Sequence, residues 1–384
     1  MKSALCIIIT IFAMYSCGNQ SDTSKQRTKY SANQLYSMLD SALIHQEQYP
    51  DTVTIRYAKG LQVCYKQDGI HVTISNPDPK ATHTRPQEIV ITQPSRRFIC
   101  TTALQLGNFE ALGLEDRIVG MNSLRNLFSP VMQQQIEDGR TVAIGKEGNF
   151  DLEMVIACRP DYIFVSASKH GGFEALKDCG IPLLLHHGYK ETDPLGQAEW
   201  IKLIGLLTGE VQRANAVFDD IESHYLALRD EVRNYMQTHP EKKIPTIASG
   251  RQMRDGWYIV GGRSYMARIF ADAGADYIMK DNKESGGVSL EYESVYARAV
   301  HADFWQTDDG HHGDFSLDDL AAEDQRYTTM KAYKDKHVIF CNLAKTPYRE
   351  LAGVQPHLLL ADFVKALHPD ILPDYTPHYY TQLK

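Results

Sequence analysis

The run Asp308-Asp309-Gly310-His311-His312-Gly313-Asp314 places five side chains with metal-ligating chemistry within seven residues of this 384-residue chain. A hydrolytic zinc centre is the chemistry to test first. Such centres draw their histidines from one helix face or from separated strands. Neighbouring histidines in a glycine-flanked loop make a poor cage, so a solvated acidic loop is the better reading. His186-His187 has the same weakness. No G-x-S-x-G elbow, P-loop or G-x-G-x-x-G turn opens a helix in this chain. The chain is therefore read as a non-enzyme that binds, with a lipid-anchored metal-dependent hydrolase kept as an alternative.

Two further carboxylates stand out by their setting. Glu153 and Glu293 occupy the same place in two copies of one phrase. The first runs from Asp151 through Val155, Arg159 and Asp161 to the apolar Tyr162–Val165. The second runs from Leu290 through Val295, Arg298 and Asp303 to Phe304-Trp305-Gln306, and is two residues longer. Each copy is a Glu-x-Val helix start, a basic residue, an Asp and a buried-strand pattern. Two such units about 140 residues apart, with a helical stretch between them, predict two similar lobes joined by a rod. That architecture points to a ligand held between the lobes.

The elements that would position these groups follow from periodicity. Strands are predicted at Phe98–Thr101, Arg117–Met121, Thr141–Ile144, Tyr162–Val165 and Leu183–Leu185, with helices at 102–112, 129–137, 151–158, 172–179 and 194–207. Residues 244–370 repeat the style, with strands at Ile244–Ser249, Trp257–Val260, Phe304–Thr307 and Val338–Phe340. The helices there are 264–273, 291–298, a broken 316–333, and 356–367. Alternation of this kind argues for α/β lobes, each a doubly wound parallel sheet. Between them, apolar residues at Val211, Ala214, Val217, Ile221, Tyr225, Leu228, Val232 and Tyr235 recur at steps of three or four. They form one stripe on a single helix over Glu210–Gln237, capped by Thr208 and stopped by Pro240.

Composition sets the outer limits. A hydrophobic content of 43% allows sizeable cores. Net charge is −8, from 40 basic and 48 acidic side chains, and no basic run exceeds two residues, which argues against nucleic acid as a partner. Ala4–Met14 is too short an apolar run to span a bilayer and suits a signal-peptide core. With Lys2 before it and Ser16-Cys17 after it, the segment resembles a bacterial lipoprotein signal, in which the Cys17 thiol takes the lipid. Residues 1–16 are then the signal, 17–29 the lipidated cysteine and its tether, and 30–94 a small β-rich extension. Within the extension, 31–45 has helical spacing, and Val53–Tyr57, Leu61–Tyr65 and Ile70–Ile74 read as short strands. Lobe one is 95–207, the connecting helix 208–240 and lobe two 241–384. Cys64, Cys100, Cys158, Cys179 and Cys341 show no C-x-x-C spacing, and most read as buried small apolar residues.

From Arg96 to Pro369 the chain resembles the periplasmic substrate-binding lipoproteins of the cobalamin, iron-siderophore and haem ABC importers. The resemblance rests on Arg97–Leu106 with Ala111-Leu112-Gly113 and Arg117–Gly120, on Ile144-Gly145 with Phe150–Glu153, and on Gly180–Leu183. Gly261-Gly262-x-Ser264 with Ala273-Gly274-Ala275, and Leu367-His368-Pro369, carry it through lobe two. It implies the class III fold, two α/β lobes joined by a single long α-helix, with the ligand in the cleft between them and only a small hinge movement. It also implies a periplasmic location on a Gram-negative membrane, the inner more than the outer, with an ABC permease dimer and its ATPase as partners. Glu153 and Glu293 would then salt-bridge to the permease subunits, with Glu291 a rival for the second position. The transported ligand would be a cobalt- or iron-containing chelate, and no cofactor would be covalently required. A sensor or surface-capture lipoprotein without its own permease is the other alternative.

Ligands of open α/β sheets sit beyond the carboxyl ends of the strands. That rule selects Thr102, Asn122, Arg125, Lys146, Ser168, Lys169, His170 and His187 in lobe one. In lobe two it selects Arg251, Arg254, Trp257, Tyr258 and the loop from Asp308 and Asp309 to His311 and His312. Trp257 would stack on a flat macrocycle or catechol. A ferric siderophore would use Arg125, Arg251 and Arg254, haem an axial His or Tyr, and the near-neutral cobalamin aromatic side chains.

Overall fold

The computed structural model describes residues 46–81, 83–166, 172–253 and 256–384. The signal core, Cys17, the tether and the helix expected over 31–45 lie outside the described residues, as do Ser168, Lys169, His170 and Arg254.

The extension contains three antiparallel strands, β1 (Leu61–Lys66), β2 (Gly69–Ile74) and β3 (Gln87–Ile91), in that order. Gly69, at φ 139°, closes the β1–β2 hairpin in a conformation open to glycine. Val53–Tyr57 is not the expected strand. The amides of Arg56, Tyr57 and Ala58 donate instead to the buried Glu199 carboxylate at 2.7 to 3.0 Å, so they are unavailable to a ladder. Glu199 also pairs with the buried Lys202 at 2.8 Å. The next two amides, of Lys59 and Gly60, donate to Glu191. The extension is thus fastened to lobe one by two buried carboxylates rather than by sheet pairing.

Lobe one holds β4 (Phe98–Cys100), β5 (Ile118–Met121), β6 (Val142–Ala143), the hairpin β7 (Gly145–Lys146) and β8 (Asn149–Phe150), then β9 (Tyr162–Val165) and β10 (Leu183–Leu185). Its five-stranded sheet is parallel, in the order β10-β9-β4-β5-β6. Its helices are α1 (Ala103–Glu110), α2 (Pro130–Glu137), α3 (Leu152–Ala157), α4 (Glu174–Lys177), α5 (Pro194–Ala198) and α6 (Ile201–Thr208). The helix expected over 194–207 is therefore two.

The connecting helix α7 runs unbroken over Val211–Thr238, 28 residues or about 42 Å, and buries Ala214, Val217, Ile221, Tyr225, Leu228 and Val232 along one stripe. Thr208 does not cap it. Its Oγ1 donates to the Ile204 carbonyl at 2.7 Å within α6, and Gly209, at φ 81°, turns the chain into α7.

Lobe two holds β11 (Thr246–Ser249), β12 (Arg251–Met253), β13 (Gly256–Val260), β14 (Asp276–Tyr277), β15 (Gly287–Leu290), β16 (Phe304–Asp309), β17 (Val338–Asn342) and β18 (Tyr380–Gln382). Its helices are α8 (Tyr265–Asp272), α9 (Tyr292–Ala299), α10 (Leu317–Glu323), α11 (Lys331–Lys334), α12 (Tyr348–Leu351) and α13 (Pro356–Leu367). The main sheet is β14-β11-β16-β17-β18, parallel except for β18. The strand expected at Trp257–Val260 belongs to a separate antiparallel sheet, β12-β13-β15, and not to the parallel one. Val155 and Val295, the matching residues of the duplicated phrase, are both fully buried.

Candidate functional site

The carboxyl ends of β4 and β5 in lobe one face those of β16 and β17 in lobe two across a cavity of about 390 Å³. Thr102 caps α1 there, its Oγ1 accepting from the Gln105 amide, and so places the helix start at the cavity wall. Asn122 and Arg125 follow β5, and His312 follows β16. These four sequence-selected residues come together. Thr346, Arg349 and Glu350 complete the lobe-two wall and were not anticipated. They lie just past β17, so the strand-end rule would have found them had it been applied to Val338–Asn342.

The wall is polar and cationic. Arg125 and Arg349 reach it from opposite lobes, and among the described residues neither makes a salt bridge. Among the described residues Phe128 is the one Phe, Tyr or Trp of the lining. Its amide donates at 2.9 Å to Glu350 of the opposite lobe, which ties the two walls together.

Other selected residues sit elsewhere. Trp257 is a core residue: its indole N–H donates to the Ser249 carbonyl at 3.0 Å and its ring packs against Tyr292, Trp305 and Tyr327. Strand alternation explains this, since Trp257 and Ile259 face inward while Tyr258 is half-exposed on the other face. Neither Trp257 nor Tyr258 lines the cavity. Arg251 is held by Asp309 at 2.8 Å and Glu323 at 3.0 Å, away from the lining. Lys146 is exposed on the β7–β8 hairpin. His311 packs on Phe315 beside the cavity rather than in its wall. His187 is buried, and burial, helped by Lys190, holds its ring down at about 4.

The acidic loop is solvated over Gly310, His312, Gly313 and Asp314, which are exposed, while Asp308 and Asp309 are half-buried. Asp309 is engaged by Arg251, and Asp314 by Lys345 at 2.7 Å. Burial raises the Asp308 carboxyl against the pull of Arg251 and Arg349. Among the described residues no three acidic, His or Cys side chains are grouped to hold a metal ion. The five described cysteines are free thiols; Cys100, Cys158 and Cys341 are buried, whereas Cys64 is exposed and Cys179 half-buried.

Glu153 and Glu293 are each the second residue of their helix, α3 and α9, and both are exposed. The helix dipole favours a carboxylate at this position. Met154 and Ile156 are exposed beside Glu153.

A profile described as periplasmic binding protein matches residues 99–343. The chain is 25% identical over 301 residues to an uncharacterized lipoprotein of Methanocaldococcus jannaschii, covering 76% of this chain and 69% of that protein. Among solved structures, a periplasmic haem binding protein from Pseudomonas aeruginosa superposes with a TM-score of 0.58 at 17% identity, covering 76% of this chain and 98% of that one. The periplasmic catecholate-siderophore binding protein of Vibrio cholerae gives a TM-score of 0.54 at 14% identity, covering 79% and 99%. The two parallel-sheet lobes, the unbroken connecting helix, the cleft at the strand ends and a match over most of the chain lead to one conclusion: this chain belongs to the periplasmic binding protein family.

Proposed function

We propose that this chain is the substrate-binding component of an ABC importer and that its cargo is an anionic iron chelate. The observation that carries the reading is the pair Arg125 and Arg349, facing one cavity from opposite lobes. Guanidinium groups form forked, charge-assisted bonds to carboxylates and catecholates. A near-neutral, bulky corrinoid would want aromatic walls, and among the described residues Phe128 is the one Phe, Tyr or Trp of the lining, so cobalamin fits it less well. A haem binding protein and a catecholate-siderophore binding protein share the fold, and both names imply iron chelates that carry negative charge. Thr102, Asn122 and His312 would orient the ligand. The Cys17 lipid would hold the protein at the periplasmic face of the inner membrane. Glu153 and Glu293 would dock it on the permease dimer that its ATPase drives.

Calorimetric titration of the mature chain with a ferric catecholate siderophore, haemin and cobalamin tests the reading. One of the two anionic iron chelates should bind below about 10 μM, roughly −7 kcal/mol. Arg125→Ala with Arg349→Ala should weaken that binding by at least about a hundredfold, at about 1.5 to 3 kcal/mol for each charged bond. Tight cobalamin binding that ignores both substitutions would overturn the anionic assignment.

A further inference from the structure

Beside the cleft the two lobes come backbone to backbone. A Cβ added to Gly107 of α1 would lie 1.8 Å from the carbonyl oxygen of Glu350 in α12. Only a residue without a side chain lets the helices approach so closely. Three residues further along α1, the Glu110 carboxyl is buried and within hydrogen-bonding reach of the Glu350 carboxyl. Glu350 in turn accepts from the Phe128 amide, at 2.9 Å on one carboxylate oxygen and 3.2 Å on the other. The lobe-two carboxylate is thus gripped by one lobe-one amide and faced by one lobe-one carboxyl.

Two carboxyl groups can hydrogen-bond to each other only when one carries a proton. The groups that face the pair reinforce this. Glu115 adds a third carboxyl from lobe one, itself bonded to Ser129 Oγ at 3.3 Å, and the Cys100 thiol faces Glu110 from β4. Arg213 of α7 faces Glu115, and Arg349 adjoins Glu350 in the chain. Among the described residues, however, no cation forms a salt bridge with Glu110 or Glu350. One Glu110 oxygen has no partner if both groups are treated as acceptors.

We propose that Glu110 and Glu350 form a proton-held clasp between the lobes, taking up one proton as the cleft closes and releasing it as the cleft opens. Burial first, then the carboxylates of Glu350 and Glu115, hold Glu110 up at about 9 in the closed contact. Once the lobes part and water enters, Glu110 returns to the ordinary glutamate range near 4.3. The closed state therefore binds the extra proton between those limits, and opening becomes easier as pH rises through them. Glu350 also lines the cavity, so the clasp adjoins the bound ligand whatever its identity.

Hydrogen exchange on the ligand-free mature protein tests it. The reporter is the Phe128 amide, corrected for intrinsic exchange. In the wild type its protection should fall by up to about tenfold per pH unit between pH 6 and 9, the limit for one linked proton. Glu110→Gln supplies a donor that does not titrate, so its protection should stay level across that range. Level protection in the wild type, or a fall in Glu110→Gln that tracks the wild type, overturns the proposal. Should Glu110→Gln fail to fold, infrared spectroscopy of the wild type decides. A protonated-carboxyl C=O band should persist at pH 7.5 and vanish by pH 10.5, and its absence at pH 7.5 overturns the clasp.

Discussion

Asp161 and Asp303 perform the same job in the two lobes. Each immediately precedes a central strand, β9 or β16, and grips the backbone at the start of the parallel strand beside it. Asp161 Oδ2 accepts from the Arg96 and Arg97 amides at 2.7 and 2.9 Å. Asp303 Oδ2 accepts from the Thr246 amide and hydroxyl at 2.9 and 2.8 Å, with Lys243 and Lys331 close by. The duplicated phrase therefore encodes a clamp that sets register between strands far apart in sequence. Burial works to raise the Asp303 carboxyl, but the bonds from Thr246 and the lysines outweigh it and hold it well below the usual range. Its contribution is thus present above about pH 3.9 and lost as pH falls below that value. Asp303→Asn should cost about 2 kcal/mol at pH 7, the scale of bonds to a charged acceptor. Asp161→Asn, at the more exposed site, should cost less, as read by urea denaturation.

Charge reversal at Glu153 and Glu293 should separate docking from binding. Exposed ion pairs govern orientation and encounter rate more than stability. The double variant should keep its ligand affinity and melting temperature, while uptake in cells falls to background. Loss of ligand affinity would place these residues in some other role.

Trp257→Phe should destabilise the chain by about 1 to 2 kcal/mol, since the Ser249 carbonyl loses its buried donor. Ligand affinity of the folded protein should stay within about twofold. A large change in affinity at unchanged stability would return Trp257 to the cleft.

Buried histidines make the protein acid-sensitive. His186 and His357 are buried, and burial holds both down at about 3. Among the described residues neither ring nitrogen of His357 has a hydrogen-bond partner. The unfolded chain protonates near 6.5, so it binds more protons than the fold below that value. The contribution of these two histidines should be level above pH 7 and become destabilising as pH drops from about 6.5 toward 3. His357→Leu should flatten that slope between pH 6 and 4, as measured by urea midpoints.

Gly107→Ala should be costly for its size. The added methyl meets the Glu350 carbonyl, which is backbone and cannot swing aside. Small-to-large changes in a tight contact cost about 1 to 3 kcal/mol. Melting temperature should fall, and protection at Phe128 should fall at every pH. An unchanged melting temperature would show that the lobes part there without strain.

Much of this architecture was legible in the chain because it is written in local periodicity. The three-or-four spacing of Val211, Ala214, Val217 and Ile221 is enough to predict the connecting helix, since a stripe at that step has one good way to be buried. Tyr162–Val165 and Leu183–Leu185 are strands to the residue, because short apolar runs in a parallel sheet are buried on both faces. The strand-end rule likewise selected Thr102, Asn122, Arg125 and His312, which the fold brings to the wall of one cavity. What depended on distant partners was not legible. Val53–Tyr57 looks like a strand until Glu199, more than 140 residues away, takes its amides. Strand β18 pairs with β17 only because the buried Asp362 gathers the amides of His378, Tyr379 and Tyr380.

The sequence by itself determined two α/β halves, a single strut between them and the strand ends where a ligand would lie. Only the tertiary structure decided that Trp257 turns inward, that Arg349 joins Arg125 at the cleft, and that Glu110 meets Glu350 across it. The reason is physical. Periodicity reports which face of an element is buried, but not which other element buries it. Pairing two like charges becomes tolerable only where the surrounding fold excludes water and leaves a proton between them.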